Sequence, residues 1–507
     1  MVNVNKKVAA LVATAVMLGG GASVAGSANA ASAIPDDAVV VTPNPWYANG
    51  PFDGWGTSLA WFANATGNYG EEGFVTNRDE ISKEAYAKAL ENGKQLREAF
   101  YESIFGEDGL DLNMARYNIG GGNATDVAYG YPFMRQGAAV PGYWADTIDG
   151  VEAKQANKDQ VAEAFDPSDD AHYDWSKGVS QEWWLRHGLE TGDIDHVEMF
   201  ANSAPWFLTE SGYATGGYDS NANNLADPEK FAQYMVKVTD HLEDTYGFEA
   251  DTIEPFNESE TGYWSTPGTM ADDGFGPDNT ALIERYWERY YGDKDKSVTP
   301  YSDAVKKPQE GMHVNNDVQQ ETLKAMAAAM GEDDQTKLVA TDATDSGQMV
   351  DSYNQYSDEV KDLLDQYNTH SYGTNRQRVA RDIAQTDGKE ISQSEVDGSW
   401  QSGGFDPYNF DNGLGMAGKI NADVYTLQSK DFNFWQVVED LYNMSTGSED
   451  VYGNHANPAG ENLNWGTVFI SFDCTVADED GNLYSVRDVD NNGGSTEGLQ
   501  ACSGLVD

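Results

Sequence analysis

The sequence predicts an α/β fold, a (β/α)₈ TIM barrel, on the basis of three observations. Eight short segments rich in apolar residues lie between Gly54 and Val438 and have the lengths of strands. Segments with apolar residues at helical spacing lie between several of them, and this alternation indicates a parallel sheet. Polar residues follow several strands directly, as they do at the functional end of a barrel. Long loop insertions account for a span above the ~250 residues that are usual for this fold.

Each predicted strand combines apolar, β-branched or aromatic residues and ends at a polar or glycine-rich turn. The eight segments are Gly54–Trp61, Leu112–Asn118, Val197–Asn202, Thr252–Asn257, Lys337–Asp342, Tyr367–Tyr372, Glu390–Glu395 and Phe432–Val438. Parallel strands of a barrel end at the same face, so the residues that close these segments should meet there.

The spacing of apolar residues also predicts helices between these strands. One covers Ser82–Phe105, and another covers Gln319–Met330. A third begins at Pro228, which suits a first helical position, after Asp227 as the capping residue. Gly247 is expected to end that helix, because glycine adopts the left-handed conformation found after helices.

Four segments are expected along the chain: a signal peptide over 1–30, an N-terminal strand over 31–50, the barrel over 51–455 and the start of a β-rich module over 456–507. Two lysines, an apolar run and a small-residue cleavage site predict the signal peptide. Its apolar run is too short to span a membrane. We therefore expect a secreted, extracellular protein with no membrane span in this chain, attached to the cell surface if the chain continues beyond Asp507.

The composition is strongly acidic, with 84 Asp and Glu against 31 Lys and Arg and a net charge of −53. This charge argues against nucleic acid or an anionic membrane surface as a partner, because both attract positive charge. Neutral carbohydrate is compatible with it. We expect no cofactor and no metal, since no metal-type spacing of ligands is present, and we expect a monomer.

The two cysteines, Cys474 and Cys502, both lie near the C-terminus. In an oxidising compartment they could pair and close a loop of about 30 residues, which would stabilise the fold by roughly 3 kcal/mol. The alternative is two free thiols. Neither interpretation makes them catalytic, because no histidine lies near them in the sequence.

Two glutamates stand at strand ends. Glu258 follows the fourth predicted strand, and Glu395 closes the seventh. If both strands belong to one barrel, both carboxylates reach its C-terminal mouth. Such a pair can cleave an acetal in two ways: by direct attack at a separation of about 5–5.5 Å, or through an attacking water at a wider one. The alternative for any single glutamate is a solvated loop charge.

The pair and its flanking segments resemble known enzymes. Asn257–Glu258 and Glu395 look like the site of clan A retaining glycoside hydrolases, and Gly54–Trp61, Ala201–Trp206 and Ser394–Glu395 are similar to glycoside hydrolase family 30. Within that family the β-1,6-galactanase branch is the nearest match, over roughly 39–472. The resemblance implies that Glu258 is the acid/base and Glu395 the nucleophile.

The same resemblance implies a substrate. It would be the β-1,6-galactan side chains of type II arabinogalactan, cleaved by double displacement to galactobiose or short oligosaccharides. One alternative is another activity of the family, on β-1,6-glucan or xylan. A second is a non-catalytic carbohydrate-binding surface protein. Endo and exo attack both stay open, because loops around the cleft decide between them.

Further site residues follow from the resemblance. Arg116 would hold the nucleophile ionised, although a surface ion pair is an alternative for it. Asn257 would bind the sugar 2-hydroxyl, and His370 and Tyr372 would surround the nucleophile. A histidine in this position could equally be structural.

Aromatic residues could form the sugar-binding surface, because an indole offers a large flat face and one donor. Trp435 would be the floor, Trp206 and Trp55 the walls, with core packing as the alternative for each. Thr57 on the first strand joins the substrate-binding set. Further candidates for outer subsites lie in loops: Tyr131, Tyr143, Trp144, Tyr263 and Trp264.

The family also carries a β-sandwich beside its barrel. In this chain the resemblance implies a partial sandwich, made from the N-terminal strand and a C-terminal tail in which Val468–Phe472 is a predicted strand. Either the side domain is unusually small or the chain is a fragment.

Overall fold

The structure is a computed structural model that describes residues 50–71, 82–122, 124, 140–217, 219–264, 309–331, 334–397, 410–440, 468–470, 475–477 and 483–485. The chain divides into two compact units, Met1–Ala48 and Asn49–Asp507, and all described residues belong to the second. The predictions for the signal peptide, the N-terminal strand and the cysteine pair concern residues outside these ranges.

Eight parallel strands close into a barrel, as the sequence predicts. The strands are β1 (Gly54–Ser58), β2 (Met114–Asn118), β3 (His196–Phe200), β4 (Thr252–Glu254), β5 (Lys337–Asp345), β6 (Gln366–Gly373), β7 (Glu390–Val396) and β8 (Asp431–Phe434). Strand β1 pairs with both β2 and β8, which closes the sheet.

The helices lie between the strands, with the bounds α1 (Phe62–Thr66), α2 (Lys83–Ile104), α3 (Lys158–Ala164), α4 (Val179–Thr191), α5 (Pro228–Tyr246), α6 (Asn316–Met330), α7 (Ser346–Tyr353), α8 (Asp358–Leu363), α9 (Gln377–Asp387) and α10 (Phe410–Asn421). The three predicted helices are α2, α5 and α6. In α5 the side chain of Asp227 accepts a hydrogen bond from the Lys230 amide, and Gly247 takes a φ of 73° at the C-terminal end. Capping of this kind contributes about 1 kcal/mol.

Helix α4 was not predicted, although it covers the barrel after β2. Its largest buried side chains, Trp183, Trp184 and Leu185, are consecutive in the sequence. They pack in more than one direction and so do not show the spacing of a helix with a single apolar face.

The interior of the barrel is polar, and its outer face is apolar. On β2, Ala115 and Tyr117 point outward into the apolar core. Arg116, between them, points inward and is almost completely buried. The inward positions of several strands therefore supply charged groups to one enclosed space, while the packing of helices on the outer face stabilises the sheet.

Short strands follow the barrel. Val438–Asp440 pairs in parallel with Val468–Ile470, and Thr475–Ala477 pairs antiparallel with Leu483–Ser485. The predicted strand in the tail is present over Val468–Ile470. These pairs do not establish a side sandwich. Among the described residues, no helix is long and apolar enough to cross a membrane.

Candidate active site

The structure brings Glu258 and Glu395 together at the C-terminal mouth of the barrel. Glu258 lies in the turn after β4, and Glu395 lies next to the end of β7. Both are buried, and an oxygen of each lies within 4.8 Å of the other and of a ring nitrogen of His370. This spacing suits direct attack by one carboxylate, which needs about 5–5.5 Å, better than the wider arrangement that admits a water.

Arg116 is the central cation of the site. Its Nη1 donates to Glu395 Oε2 at 2.7 Å, its Nε donates to Glu198 Oε1 at 2.7 Å, and its Nη2 donates to both Asp342 and Asn257. Burial alone would lower the pKa of Arg116, but the carboxylates of Asp342, Glu395 and Glu198 raise it. The guanidinium is almost completely buried, so the alternative of a surface ion pair does not apply.

His370 lies between the two carboxylates. Its Nδ1 is 3.1 Å from Glu258 Oε1 and 3.4 Å from Glu395 Oε1, and its Nε2 is 3.2 Å from Asp342 Oδ1. Burial would lower the pKa of His370, but the charges of Glu395 and Asp342 raise it well above its ordinary value. This shift favours the imidazolium form, which can donate a hydrogen bond to either glutamate.

Glu395 is held in a mixed environment. Its pKa is raised to about 6; burial is the largest cause and Glu258 adds to it, while His370 and Arg116 act in the opposite direction. At neutral pH the group is therefore mainly a carboxylate, which is the form that can attack carbon. The hydroxyl of Tyr372 donates to its Oε1 at 2.9 Å, so the second oxygen is also oriented.

Asp342 was predicted only as the end of the fifth strand, with no role in the site. Its fully buried carboxylate contacts Arg116 and His370, and Ser394 Oγ donates to it at 2.5 Å. Its backbone oxygen accepts from the Glu258 amide at 2.9 Å. Both Asp342 and Glu258 have positive φ, 51° and 47°, a costly conformation found at functional sites. A carboxylate at the end of the predicted segment was the available signal, although the strand itself continues to Asp345.

Replacing Asp342 with alanine should lower the free energy of unfolding by about 3–5 kcal/mol, because it removes a buried carboxylate that both Arg116 and His370 contact. Asp351→Ala is the matched control, since Asp351 pairs with Arg376 on the surface. This change should lower the free energy of unfolding by no more than about 1 kcal/mol. Urea unfolding of both variants measures the difference. Equal losses in the two variants would contradict this account of Asp342.

A cavity of about 360 Å³ opens above the carboxylates. It is lined by Asn257, Glu258, Tyr263, Trp264, Gln309, Thr344, Tyr372, Glu395 and Trp435. Trp435 lies next to the end of β8 and packs edge-on against Trp61, with ring centroids 4.8 Å apart. Trp435 thus lines the same cavity as the two carboxylates, and its role as the floor for a sugar stays a prediction. Gln309 and Thr344 were not predicted.

Trp206, Trp55 and Thr57, which were predicted to contact the sugar, do not line this cavity. Trp206 is 1% exposed and packs edge-on against Phe207 in the apolar core. Trp55 lies near the start of β1, away from the end that forms the mouth. The buried hydroxyl of Thr57 accepts from the Val437 amide. The prediction of sugar contacts is corrected for all three, because motif membership does not tell which way a side chain points.

The aromatic residues predicted in loops also fall into two groups, one that lines the cavity and one that packs in the core. Tyr263 and Trp264 line the cavity, whereas Tyr143 and Trp144 are buried in the core. Tyr131 lies outside the described residues.

Glu258, His370 and Glu395 have donor atoms close enough to share one cation. The charges at the site do not suit this use. The charges of Glu395 and Asp342 raise the pKa of His370, which opposes its use as a neutral ligand, and Arg116 already lies 2.7 Å from Glu395. The carboxylates of Glu395 and Glu258 are already contacted by Arg116 and His370, respectively.

Comparisons with known proteins agree with this geometry. Residues 146–285 match the family model of O-glycosyl hydrolase family 30. The chain is 62% identical over 513 residues to an exo-beta-1,6-galactobiohydrolase of Bifidobacterium longum subsp. longum, a match that covers 98% of this chain and 33% of that protein. It is 23% identical over 252 residues to an endo-beta-1,6-galactanase of Hypocrea rufa, covering 48% of this chain and 45% of that protein.

The chain thus spans about a third of the length of the Bifidobacterium relative and less than half of the Hypocrea relative. Among solved structures, a conserved exported protein from Bacteroides fragilis matches with a TM-score of 0.51 at 15% identity, covering 86% of this chain and 76% of that chain. That likeness supports the fold alone. The sequence matches are similarities to glycoside hydrolase family 30, and the closed barrel with two carboxylates at its mouth agrees with them.

Proposed function

We propose that this chain is a secreted, retaining β-1,6-galactanase that releases β-1,6-galactobiose from the galactan side chains of type II arabinogalactan. The observation that carries the proposal is the 62% identity, over 98% of the chain, to a relative named for exo-beta-1,6-galactobiohydrolase activity. The close spacing of Glu258 and Glu395 supports retention. The basic start, apolar run and small-residue site in residues 1–30 support secretion.

The reaction proceeds in two displacements. Glu395 attacks the anomeric carbon and forms a glycosyl ester, while Glu258 gives its proton to the departing glycosidic oxygen. In the second step Glu258 takes a proton from water, the water oxygen bonds to the anomeric carbon, and Glu395 leaves as a carboxylate. Asn257 lies beside both groups and suits the 2-hydroxyl of the same sugar.

His370 suits this exchange of charge. When Glu395 becomes an ester it loses its negative charge, and Glu258 gains one at the same moment. The Nδ1 of His370 is 3.1 Å from one carboxylate and 3.4 Å from the other, so its proton can follow the charge with little movement. The total charge of the buried cluster stays constant, which avoids the cost of changing it in a low dielectric.

Product analysis tests the proposal. β-1,6-Galactan, β-1,6-glucan and glucuronoxylan are each incubated with the enzyme, and products are sampled from the first minutes. We expect galactobiose alone from galactan at every time point. A ladder of products would favour endo attack instead, and turnover confined to glucan or xylan would overturn the substrate.

A further inference from the structure

Three groups with no part in the two displacements lie together on one side of the cavity. Trp264 and Gln309 line it, and Gly311 lies directly behind the indole. We call Trp264, with the backbone of Gly311 that supports it, the indole wall. Trp264 is 7% exposed, and it is separate from Trp435, which also lines the cavity.

The indole wall is fixed from two directions. A Cβ added to Gly311 would lie 2.3 Å from Trp264 Cδ2 and 2.5 Å from Cε3, so the ring rests on the glycine backbone with no room for a methyl group. On the other side, Trp264 Nε1 donates to the backbone oxygen of Glu258 at 3.1 Å. The ring is thereby bound to the same turn that carries Glu258.

Glu310 anchors the segment that supports the wall. Its carboxylate is fully buried and accepts hydrogen bonds from Asn118 Nδ2 at 2.8 Å and from the amides of Gly121, Gly122 and Val140 at 3.1–3.3 Å. Moving a carboxylate from water into the protein interior costs free energy. The hydrogen bonds from these donors replace those to water and offset that cost. Glu310 ties the backbone next to Gly311 to the chain that follows β2.

The position of the wall indicates which sugar it meets. Glu258 protonates the leaving oxygen, so the leaving-group sugar lies on the Glu258 side of the broken bond. Trp264 is hydrogen-bonded to the turn that carries Glu258. Trp435 instead lies next to the end of β8, and β8 pairs with the strand that carries Glu395. A flat indole beside the proton donor is placed to stack on the ring that departs.

We propose that Trp264 is the residue that binds the leaving-group galactose, and that Glu310 and Gly311 are positioning residues that hold its ring beside Glu258. This inference rests on the proposed function for the identity of the sugar. It predicts selective effects on substrates whose leaving group is a sugar.

Gly311→Ala is the sharpest test, because it keeps every side chain of the site and only displaces the indole. Gly413→Ala is the matched control, since a Cβ there meets nothing within 4 Å. Each variant is assayed on β-1,6-galactotetraose, whose leaving group is galactobiose, and on 4-nitrophenyl β-1,6-galactobioside, whose leaving group is not a sugar. We expect Gly311→Ala to lower kcat/KM about tenfold on the tetrasaccharide and to change it little on the aryl substrate. Gly413→Ala should leave both rates unchanged.

Trp264→Phe and Trp264→Ala separate stacking from an effect through Glu258. Phenylalanine keeps an aromatic face but cannot donate to the Glu258 carbonyl, so it should retain most activity on the tetrasaccharide, and alanine should lose about tenfold. Glu310→Gln should resemble Gly311→Ala in its substrate selectivity.

Equal losses on the two substrates, or a phenylalanine variant as impaired as alanine, would overturn the assignment of Trp264. No loss in Gly311→Ala would overturn it as well. A wild-type enzyme without activity on either galactoside would instead overturn the proposed function, and the subsite with it. Wild-type activity on the aryl galactobioside is therefore the result that separates the two failures.

Discussion

Glu395→Gln is expected to lower kcat on β-1,6-galactan by at least ~10⁴-fold, the largest effect of any single change in this protein. The amide has nearly the shape of the carboxylate, and its one oxygen can still accept a hydrogen bond from Arg116 or from Tyr372, which donate to different oxygens of Glu395. It has no charge with which to form a bond to the anomeric carbon. Substrate binding should therefore persist, and the rate alone should fall.

The same strand provides the control for this variant. Glu390 begins β7 at the opposite end of the barrel, where it pairs with Lys337 and Lys430 at the surface. Glu390→Gln should keep wild-type kcat. Rates are measured by release of reducing ends, and binding of galactobiose is measured by calorimetry. A Glu395→Gln enzyme with more than about a hundredth of the wild-type kcat would rule out Glu395 as the nucleophile.

Glu258→Ala should lower kcat on galactan by ~10²–10⁴-fold, since general acid catalysis typically contributes this much. With a 2,4-dinitrophenyl galactobioside as the substrate, the rate of the first step should fall far less, because this leaving group departs without a proton. The glycosyl ester should then accumulate, as no base activates water. Pre-steady-state release of dinitrophenol measures both expectations.

Added azide should restore turnover in Glu258→Ala and form β-galactobiosyl azide, because azide attacks the ester from the face that water uses. In Glu395→Ala the same anion would replace the missing nucleophile and form the α product. The configuration at the anomeric carbon is read by NMR. An α product from Glu258→Ala would contradict a retaining mechanism with these two roles.

The eight strands and the paired glutamates could be predicted because both depend on local properties. A run such as Glu390–Glu395 has the length of a strand and carries a carboxylate near its end, and the barrel then brings all strand ends to one face. The ends themselves were less predictable. Strand β8 stops at Phe434, although the predicted segment continues to Val438, because the chain turns there to place Trp435 at the cavity.

The direction of individual side chains could not be predicted in the same way. Trp206 and Trp435 each follow a barrel strand, yet one packs in the core and the other lines the cavity. Local sequence does not distinguish them, because both positions accept a large apolar ring and only the neighbouring elements decide which side is open.

The sequence by itself determined the barrel, the two glutamates at its strand ends and the resemblance that assigns them roles. Only the tertiary structure showed that Arg116 reaches Glu395 across 279 positions, that Asp342 joins the cations of the site, and that His370 lies between the two carboxylates. It also decided that Trp264 rests on Gly311. The physical reason is that the spacing of apolar residues and helix capping depend on residues close together in the sequence. Ion pairing and ring packing depend on distances that exist only after the barrel has closed.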